Sequence, residues 1–550
     1  MIRPVILILL LAAAAPQAKP PNVIVIITDD QGYGDLGCHG NPQIRTPHLD
    51  AFAKQSVELE RFHSCPVCSP TRASLMTGRW NYRTGVVDTF IGRSLMHADE
   101  VTIAEMLRDA GWRTGHFGKW HLGDNFPLRS IDQGFHESLA IRGGGIGQPS
   151  DPPGGDHYQD PTLFRNGKAE KTKGYVTDVI TDAAIDFIGR HAKERFFTYI
   201  AYNAPHGPLE VPDGYLKPYQ DAGLPDTTAR VYAMVTNIDD NVGRLLAKLE
   251  SLKVADDTIV FFMTDNGPQQ ERYNAGMRGR KGTVFEGGIR VPGYLRWPAA
   301  IKGGRKMDRV AAHVDLAPTL LDACGVKKPD AVKFDGLSLL PLLRGDKVEW
   351  PDRMLYFQWH RGDEPELNRD CAVLSQRWKL VRLQPKGKPM LFDLAADPAE
   401  KDDVSAANPE IVARLGAAYE AWFKDVGAAR GYAPPRISLG APEENPVLLT
   451  RQDWRGPKAG WGPQGLGHWE VQVARPGTYE VTLLSRAAAR AGRIRLTLSG
   501  LSAEQEIQPG ARSHGFRLEK VPAGPAKLEA SRVSDEEPLG LEYAEVRRLD

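Results

Sequence analysis

The chain has 550 residues, too many for one compact core, so two to four domains are expected. Lys plus Arg and Asp plus Glu each total 69, and this zero net charge argues against a nucleic-acid-binding protein while leaving room for a local cationic pocket. Hydrophobic residues make up 41 %, the share of an ordinary globular protein.

The N-terminus, MIRPVILILLLAAAAPQAKPP, has a basic Arg3, an apolar run from Val5 to Leu11 and then a run of alanines. It reads as a secretory signal peptide over residues 1–18, cut somewhere between Ala14 and Ala18. The apolar run is shorter than the roughly 20 residues that span a bilayer, and no later segment is longer. A secreted or periplasmic protein with no membrane attachment after signal removal is expected. Five cysteines, Cys38, Cys65, Cys68, Cys324 and Cys371, are too few for a disulfide scaffold of this size, and an odd number leaves at least one unpaired.

NVIVIITDD, from Asn22 to Asp30, is a β-branched run ending in two acids, and it reads as a buried parallel strand. TPHLDAFAKQS reads as a helix, and TIAEMLRDAGWRTGHFGKWHLG as a helix, a glycine turn and a strand. YVTDVITDAAIDFIGRH reads as an amphipathic helix, RFFTYIAYNAPH as a strand running into a loop, Thr227 to Leu252 as a long helix, and TIVFFMTDNG as a further strand. Such alternation predicts an α/β domain over residues 19–340 with a mostly parallel sheet, whose active residues collect beyond the C-terminal strand ends. Asp29, Asp30, His206, Asp265 and Asn266 fall at such ends. Short strands and the helix NPEIVARLGAAYEAWFKDV then predict a smaller α+β unit over 341–428. The passage GAARGYAPPRIS reads as a linker, and period-two patterning with Gly and Pro turns predicts an all-β sandwich over 441–550.

Cys68 precedes Ser69-Pro70-Thr71-Arg72. Serine then proline reads as an N-cap and first-turn pair, which places Cys68 just before a helix N-terminus, where anions are favoured and Arg72 can fold back. Cys65 makes a Cys-x-x-Cys spacing with Cys68, but nothing around it has a thioredoxin layout, so it reads as a packing residue. Cys38, Cys324 and Cys371 read as buried thiols. Lys119 and His121 sit two apart and share a face if extended, with Trp120 pointing inward.

CSPTRASLMTGR resembles the sulfatase signature, in which Cys-x-Pro-x-Arg is followed by Thr-Gly-Arg. The resemblance continues through TDDQGYGDLG, GKWHLG, PHGP, TDNG and RGRKGTVFEGG in family order, covering roughly Pro20 to Val426. It implies an alkaline phosphatase-like α/β fold and sulfuric ester hydrolysis. It also implies that a maturation enzyme oxidises Cys68 to Cα-formylglycine. Asp29, Asp30, Asp265 and Asn266 are hard oxygen donors that suit Ca2+ or Mg2+ rather than zinc, with Ca2+ preferred, and residue 68 completes the set. Taken singly, each acidic motif reads equally well as a strand-ending turn.

The resemblance further implies that one hydroxyl of the formylglycine hydrate attacks sulfur, that His206 protonates the leaving oxygen, and that His121 deprotonates the second hydroxyl to collapse a covalent sulfo-enzyme intermediate. Lys119 and Lys281 would hold sulfate oxygens, and Arg72 would steady the hydrate. Gln31 reads as structural. The loop from Ile141 to Asp160 reads as substrate-facing, and DTFIGRSLMHADE offers Arg93 and His97 as further substrate contacts. Export plus an appended β module suggests a sulfated carbohydrate substrate. Two rivals are a phosphonate monoester hydrolase or phosphodiesterase of the same superfamily, and a non-catalytic glycan-binding protein on a sulfatase scaffold.

Overall fold

The structure is a computed structural model that describes residues 20–151, 157–462, 464–485, 491–533 and 539–550, so the signal segment lies outside it. Among the described residues one large sheet of ten strands forms the centre. Its middle is parallel: β1 (Asn22–Thr28), β2 (Arg113–Lys119), β3 (Glu137–Ile141), β4 (Phe196–Ala201) and β5 (Thr258–Thr264), in the spatial order β5-β1-β4-β2-β3. Gly293–Arg296 runs antiparallel beside β5, and Thr162–Arg165 runs antiparallel beside β3, so the sheet is mixed at its flanks.

Both faces of the parallel centre are covered, which is why these strands are apolar throughout rather than alternating. Val23, Val25 and Ile27 of β1 face one core with Phe261 of β5, the helix α1 (Cys68–Thr77) and the helix Leu316–Cys324. Ile24 and Ile26 face the other core, with the helices Val176–His191 and Asp226–Ser251. The register pairs Thr28 with Thr264 across β1 and β5. The two acidic motifs that follow these strands therefore emerge side by side.

A four-stranded antiparallel sheet, Leu355 to Asp393, is covered by the helix Pro409–Ala428 through Leu415, Tyr419, Trp422 and Val426. Its core is continuous with Trp80, Tyr82 and Phe285 of the α/β part. Residues from Ile437 onward form two facing sheets around Trp454, Trp469, Val481 and Leu496. The first of these strands, Ile437–Leu439, starts inside the stretch read as a linker. Phe90 and Ile91, from a loop of the α/β part, pack against this sandwich core. No helix among the described residues is long and apolar enough to cross a membrane.

Trp469 is fully buried, sits 5.9 Å from Trp454 between ring centroids, and donates its indole N–H to Thr450 O at 2.7 Å. Trp469→Ala is expected to lower the stability of the sandwich by about 3–5 kcal/mol, read as an earlier first transition in urea unfolding.

Candidate active site

Four adjacent strand ends deliver the chemistry. Asp29 and Asp30 follow β1, Asp265 and Asn266 follow β5, His206 lies beyond β4, and Lys119 ends β2 with His121 two residues later. Consecutive side chains of an extended strand point to opposite faces. Asp30 escapes this by adopting φ 65°, a left-handed conformation that aspartate tolerates better than most residues. Donor atoms of Asp29, Asp30, Cys68 and Asp265 consequently lie within 4.8 Å of one another. Gly118, at φ 113°, is required on the neighbouring strand, because a Cβ there would lie 1.9 Å from Ala201 O.

Cys68 is the first residue of α1. The cap is Val67, extended and without a side-chain hydrogen bond, so Ser69 is not the N-cap that Ser-Pro suggested. The helix starts two residues earlier because Thr71 Oγ1 bonds back to Val67 O at 3.3 Å and across to Asp265 O at 2.7 Å, which ties the N-terminus to the end of β5. Cys68 Sγ lies 3.4 Å from Asp29 Oδ1. All five cysteines are free thiols, and Cys38 is exposed rather than buried. Cys65 Sγ packs against His313 Nε2 at 3.3 Å, a structural contact. Gln31 Nε2 donates to Asp35 O at 3.2 Å within its own turn.

Each carboxylate has its own cation. Arg72 donates to Asp265 Oδ2 from Nη2 at 2.8 Å and from Nε at 3.2 Å, and to Lys119 O at 3.0 Å. Lys119 Nζ is paired with Asp29, and Lys281 Nζ lies 2.5 Å from Asp30 Oδ1. Asn266 Nδ2 donates to the same Asp30 oxygen at 2.8 Å. Burial works to raise the Asp30 carboxyl, but Lys281 and His206 beside it outweigh burial and hold it well below the usual range. Asp265 goes the other way: burial and the Asp29 charge push it up to about 6 against Arg72.

Asp30 Oδ2 and Asn266 Oδ1 are buried and have no hydrogen-bond partner among the described residues. Orphaned acceptors of this kind are rare in folded proteins. Three carboxylates plus an amide oxygen fit a hard divalent cation, and the fit is chemical as well as geometric.

A cavity of about 580 Å³ opens above this cluster. Asp30, Cys68, His121, His206 and Lys281 line it, whereas Asp29, Asp265, Asn266, Arg72 and Lys119 lie behind. Of the three cations only Lys281 faces the cavity, while Arg72 and Lys119 are fully buried and engaged with carboxylates. His121 Nε2 is 2.7 Å from Thr89 O, which can only accept, so His121 carries its proton on Nε2 and leaves Nδ1 as a buried, unpartnered lone pair. By the same logic His206 donates from Nδ1 to Gly207 O at 2.8 Å, leaving Nε2 free, 3.9 Å from Asp30 Oδ2. Burial, reinforced by Lys281 and Lys119, lowers His206 to about 4, and burial with Lys119 lowers His121 well below its usual value. Burial pushes the Cys68 thiol up to about 12.

The loop after β3 contributes Gly144 and Gln148 to the cavity. A Cβ on Gly144 would meet His121 Cε1 at 2.8 Å, so this loop packs directly over the histidine. Arg93 and His97 do not line the cavity. Arg93 pairs with Asp363 at 2.8 Å and His97 Nε2 meets Ala433 O at 3.1 Å, so both serve packing between units. The lining residues that sequence reasoning missed are Phe90, Trp359, Arg361 and Trp461. Asp88 orders two of them, accepting from Trp359 Nε1 at 2.9 Å and Arg361 Nη1 at 2.8 Å.

A family model described as Sulfatase matches residues 21–326, more than half of the chain. The chain belongs to the sulfatase family. A second model, N-sulphoglucosamine sulphohydrolase, C-terminal, matches residues 280–418. The sulfatase is 33 % identical over 442 residues to N-acetylgalactosamine-6-sulfatase of Homo sapiens, covering 70 % of this chain and 81 % of the relative. It is 30 % identical over 479 residues to human arylsulfatase A, covering 76 % and 90 %. Among solved structures it matches Ps i-CgsB in complex with k-i-k-neocarrahexaose, with TM-score 0.69, 29 % identity and coverage of 75 % and 95 %. A phosphonate monoester hydrolase of Agrobacterium radiobacter shares the fold at TM-score 0.56 and 21 % identity, covering 74 % and 95 %. By family, the chain is a sulfuric ester hydrolase.

Replacing Arg72 by Met leaves Asp265 buried without its counter-charge. Arg72→Met is expected to cost about 3–5 kcal/mol, measured by urea unfolding of protein treated with chelator so that no added cation compensates.

Proposed function

We propose that this sulfatase removes sulfate from a sulfated carbohydrate, with residue 68 as nucleophile after conversion to Cα-formylglycine. The observation that carries this reading is the placement of Cys68 Sγ among three buried carboxylates, on the floor of a cavity that His121 and His206 also line. Asp29, Asp30, Asp265 and Asn266 would hold a divalent cation, Ca2+ rather than Mg2+, which supplies positive charge next to the attacking oxygen and the sulfate group.

As a hydrate, residue 68 carries two hydroxyls on one carbon. One hydroxyl attacks sulfur after losing its proton to solvent, while the ester S–O bond breaks. His206 in its imidazolium form, which the adjacent Asp30 carboxylate favours against burial, gives its Nε2 proton to the departing oxygen and keeps its Nδ1 proton on Gly207 O. The second hydroxyl then gives its proton to the free Nδ1 of His121. Its oxygen forms the aldehyde C=O as the bond to sulfate breaks, and water restores the hydrate. Two hydroxyls make the release possible, because a serine ester has no second proton whose loss expels sulfate.

Arg72, Lys119 and Lys281 offset Asp29, Asp30 and Asp265 charge for charge. A bound divalent cation and one ionised hydroxyl of residue 68 then leave a single net positive charge, which suits a singly charged sulfate ester better than a doubly charged phosphate. The carbohydrate class is supported by the wide, aromatic cavity and by what similar proteins act on or bind: an N-acetylgalactosamine-6-sulfatase, and a structure holding k-i-k-neocarrahexaose. A secreted or periplasmic site of action, and maturation by a formylglycine-generating enzyme, belong to the same proposal.

Mass spectrometry of the peptide spanning residue 68 is expected to find the aldehyde or its hydrate in place of the thiol in active protein. Cys68→Ala is expected to reduce sulfate release by at least about 10⁴-fold with the fold intact by circular dichroism, since it removes the nucleophile itself. An unmodified thiol in fully active enzyme would refute the assignment, and faster release from phosphonate than from sulfate esters would favour the other superfamily chemistry. Dialysis against a chelator is expected to abolish turnover, with recovery on adding Ca2+ and a weaker response to Mg2+.

A further inference from the structure

The two family models end at residues 326 and 418, so the sandwich from Ile437 onward lies outside both. It nevertheless reaches the cavity. Trp461, in the loop after the strand Arg455–Lys458, lines the same space as Cys68 and His206. Its ring stands edge-on to Phe90, with centroids 5.3 Å apart and planes at 84°. The Arg361 guanidinium lies 4.2 Å from the Phe90 ring centre and 5.0 Å from that of Trp359. Three aromatic rings and one cation, drawn from three structural units, thus form a continuous wall.

The wall is built rather than incidental. Buried Arg451 fastens the Trp461 loop, donating from Nη1 to Trp461 O at 3.2 Å and Gly462 O at 2.6 Å. Its other nitrogens donate to Leu541 O and Gly540 O, both at 2.9 Å, which anchors the loop to the sandwich. The sandwich also grips the Phe90 loop: Gly92 N donates to Gln452 O at 2.8 Å, and Gln452 Nε2 donates to Thr89 O at 3.1 Å. That same Thr89 oxygen accepts from His121. The indole N–H of Trp461 is buried and has no hydrogen-bond partner among the described residues.

Aromatic rings beside a guanidinium match a pyranose ring, which offers a C–H face and a rim of acceptors. At about 580 Å³ the cavity is of the size that encloses a multi-ring ligand rather than a sulfate group alone. We propose that the C-terminal sandwich is a wall of the active site, and that Trp461 is a specificity-determining residue packing against the sugar unit next to the sulfated one. The substrate is then a sulfated oligosaccharide or polysaccharide rather than a single sulfated sugar. This rests on the sulfate ester reading of the site below it.

The test uses the full, matured chain and its Trp461→Ala and Trp461→Phe variants. The probes are 4-nitrophenyl sulfate and size-fractionated di-, tetra- and hexasaccharides of carrageenan, chondroitin sulfate and heparan sulfate, with sulfate release as readout. The ratio of kcat/KM on the best oligosaccharide to that on the aryl sulfate is expected to fall roughly 10–100-fold in Trp461→Ala, chiefly through KM, and to recover largely in Trp461→Phe. An unchanged ratio, an equal loss on both substrate types, or wild-type enzyme that cleaves the aryl sulfate and none of the saccharides would each overturn the inference. Wild-type enzyme that cleaves no sulfate ester would instead overturn the sulfatase reading on which it rests.

Discussion

Six charged side chains, all inaccessible or nearly so, meet where four parallel strands end. Asp29, Asp30 and Asp265 face Lys119, Lys281 and Arg72 in pairs. Removing each ion from water costs several kcal/mol, and only close pairing repays it. The constraint is therefore collective, because these residues come from places far apart in the chain and each is tolerable only when the others are in position. The end of β2 supplies the counter-charge of Asp29, and the first turns of α1 that of Asp265. The fold around the site is organised so that β1, β2, β5 and α1 bring these pairs together, and the left-handed turn at Asp30 is the local concession that permits it.

A second buried charge cluster carries the constraint outward. Lys379, on a strand of the smaller sheet, sits 2.9 Å from Glu286 and 2.8 Å from Glu400, and all three are buried. Glu286 N donates to Glu400 Oε2 at 2.6 Å, and His63 Nε2 lies 3.2 Å from Glu286. Glu286 follows Lys281 by five residues in the segment that also includes Gly282, whose backbone N bonds Pro66 O at 2.9 Å. The smaller sheet therefore fixes the segment that delivers Lys281 to the cavity. The sequence boundary between the α/β part and the α+β unit is real as a change of pattern, yet the two share a core and a salt-bridge network.

What was legible in the sequence was whatever a short window encodes. The β-branched run ending in Asp29-Asp30, the run ending in Asp265-Asn266 and the long amphipathic helices all carry their signal locally, because burial of both faces or of one stripe demands that composition. The start of α1 was misplaced by two residues: Ser69-Pro70 is a sound local cue, but Thr71 bonding to Val67 and Asp265 overrides it. The cavity wall was illegible for a different reason. Asp88, Trp359, Arg361 and Trp461 meet only through docking of three units, and no spacing in the chain links residue 88 to 359 or 90 to 461. Arg93 and His97 carry polar groups that suggest a functional role, but these serve contacts between units, while the neighbouring Phe90 lines the cavity.

The segment Asp88–Gly92 is where chemistry and recognition join. Its Asp88 carboxylate orders Trp359 and Arg361, its Thr89 carbonyl holds the tautomer of His121, and its Phe90 ring meets Trp461. A buried carbonyl with two lone pairs can serve two donors, and Thr89 O does so, accepting from His121 and from Gln452 of the sandwich. The sandwich therefore reaches the cavity by two short routes, one through the aromatic wall and one through the backbone atom that orients His121. A module attached only to lengthen reach along a glycan would need neither. The geometry instead fits a cavity whose outer wall is completed by a unit beyond the residues that the family models match.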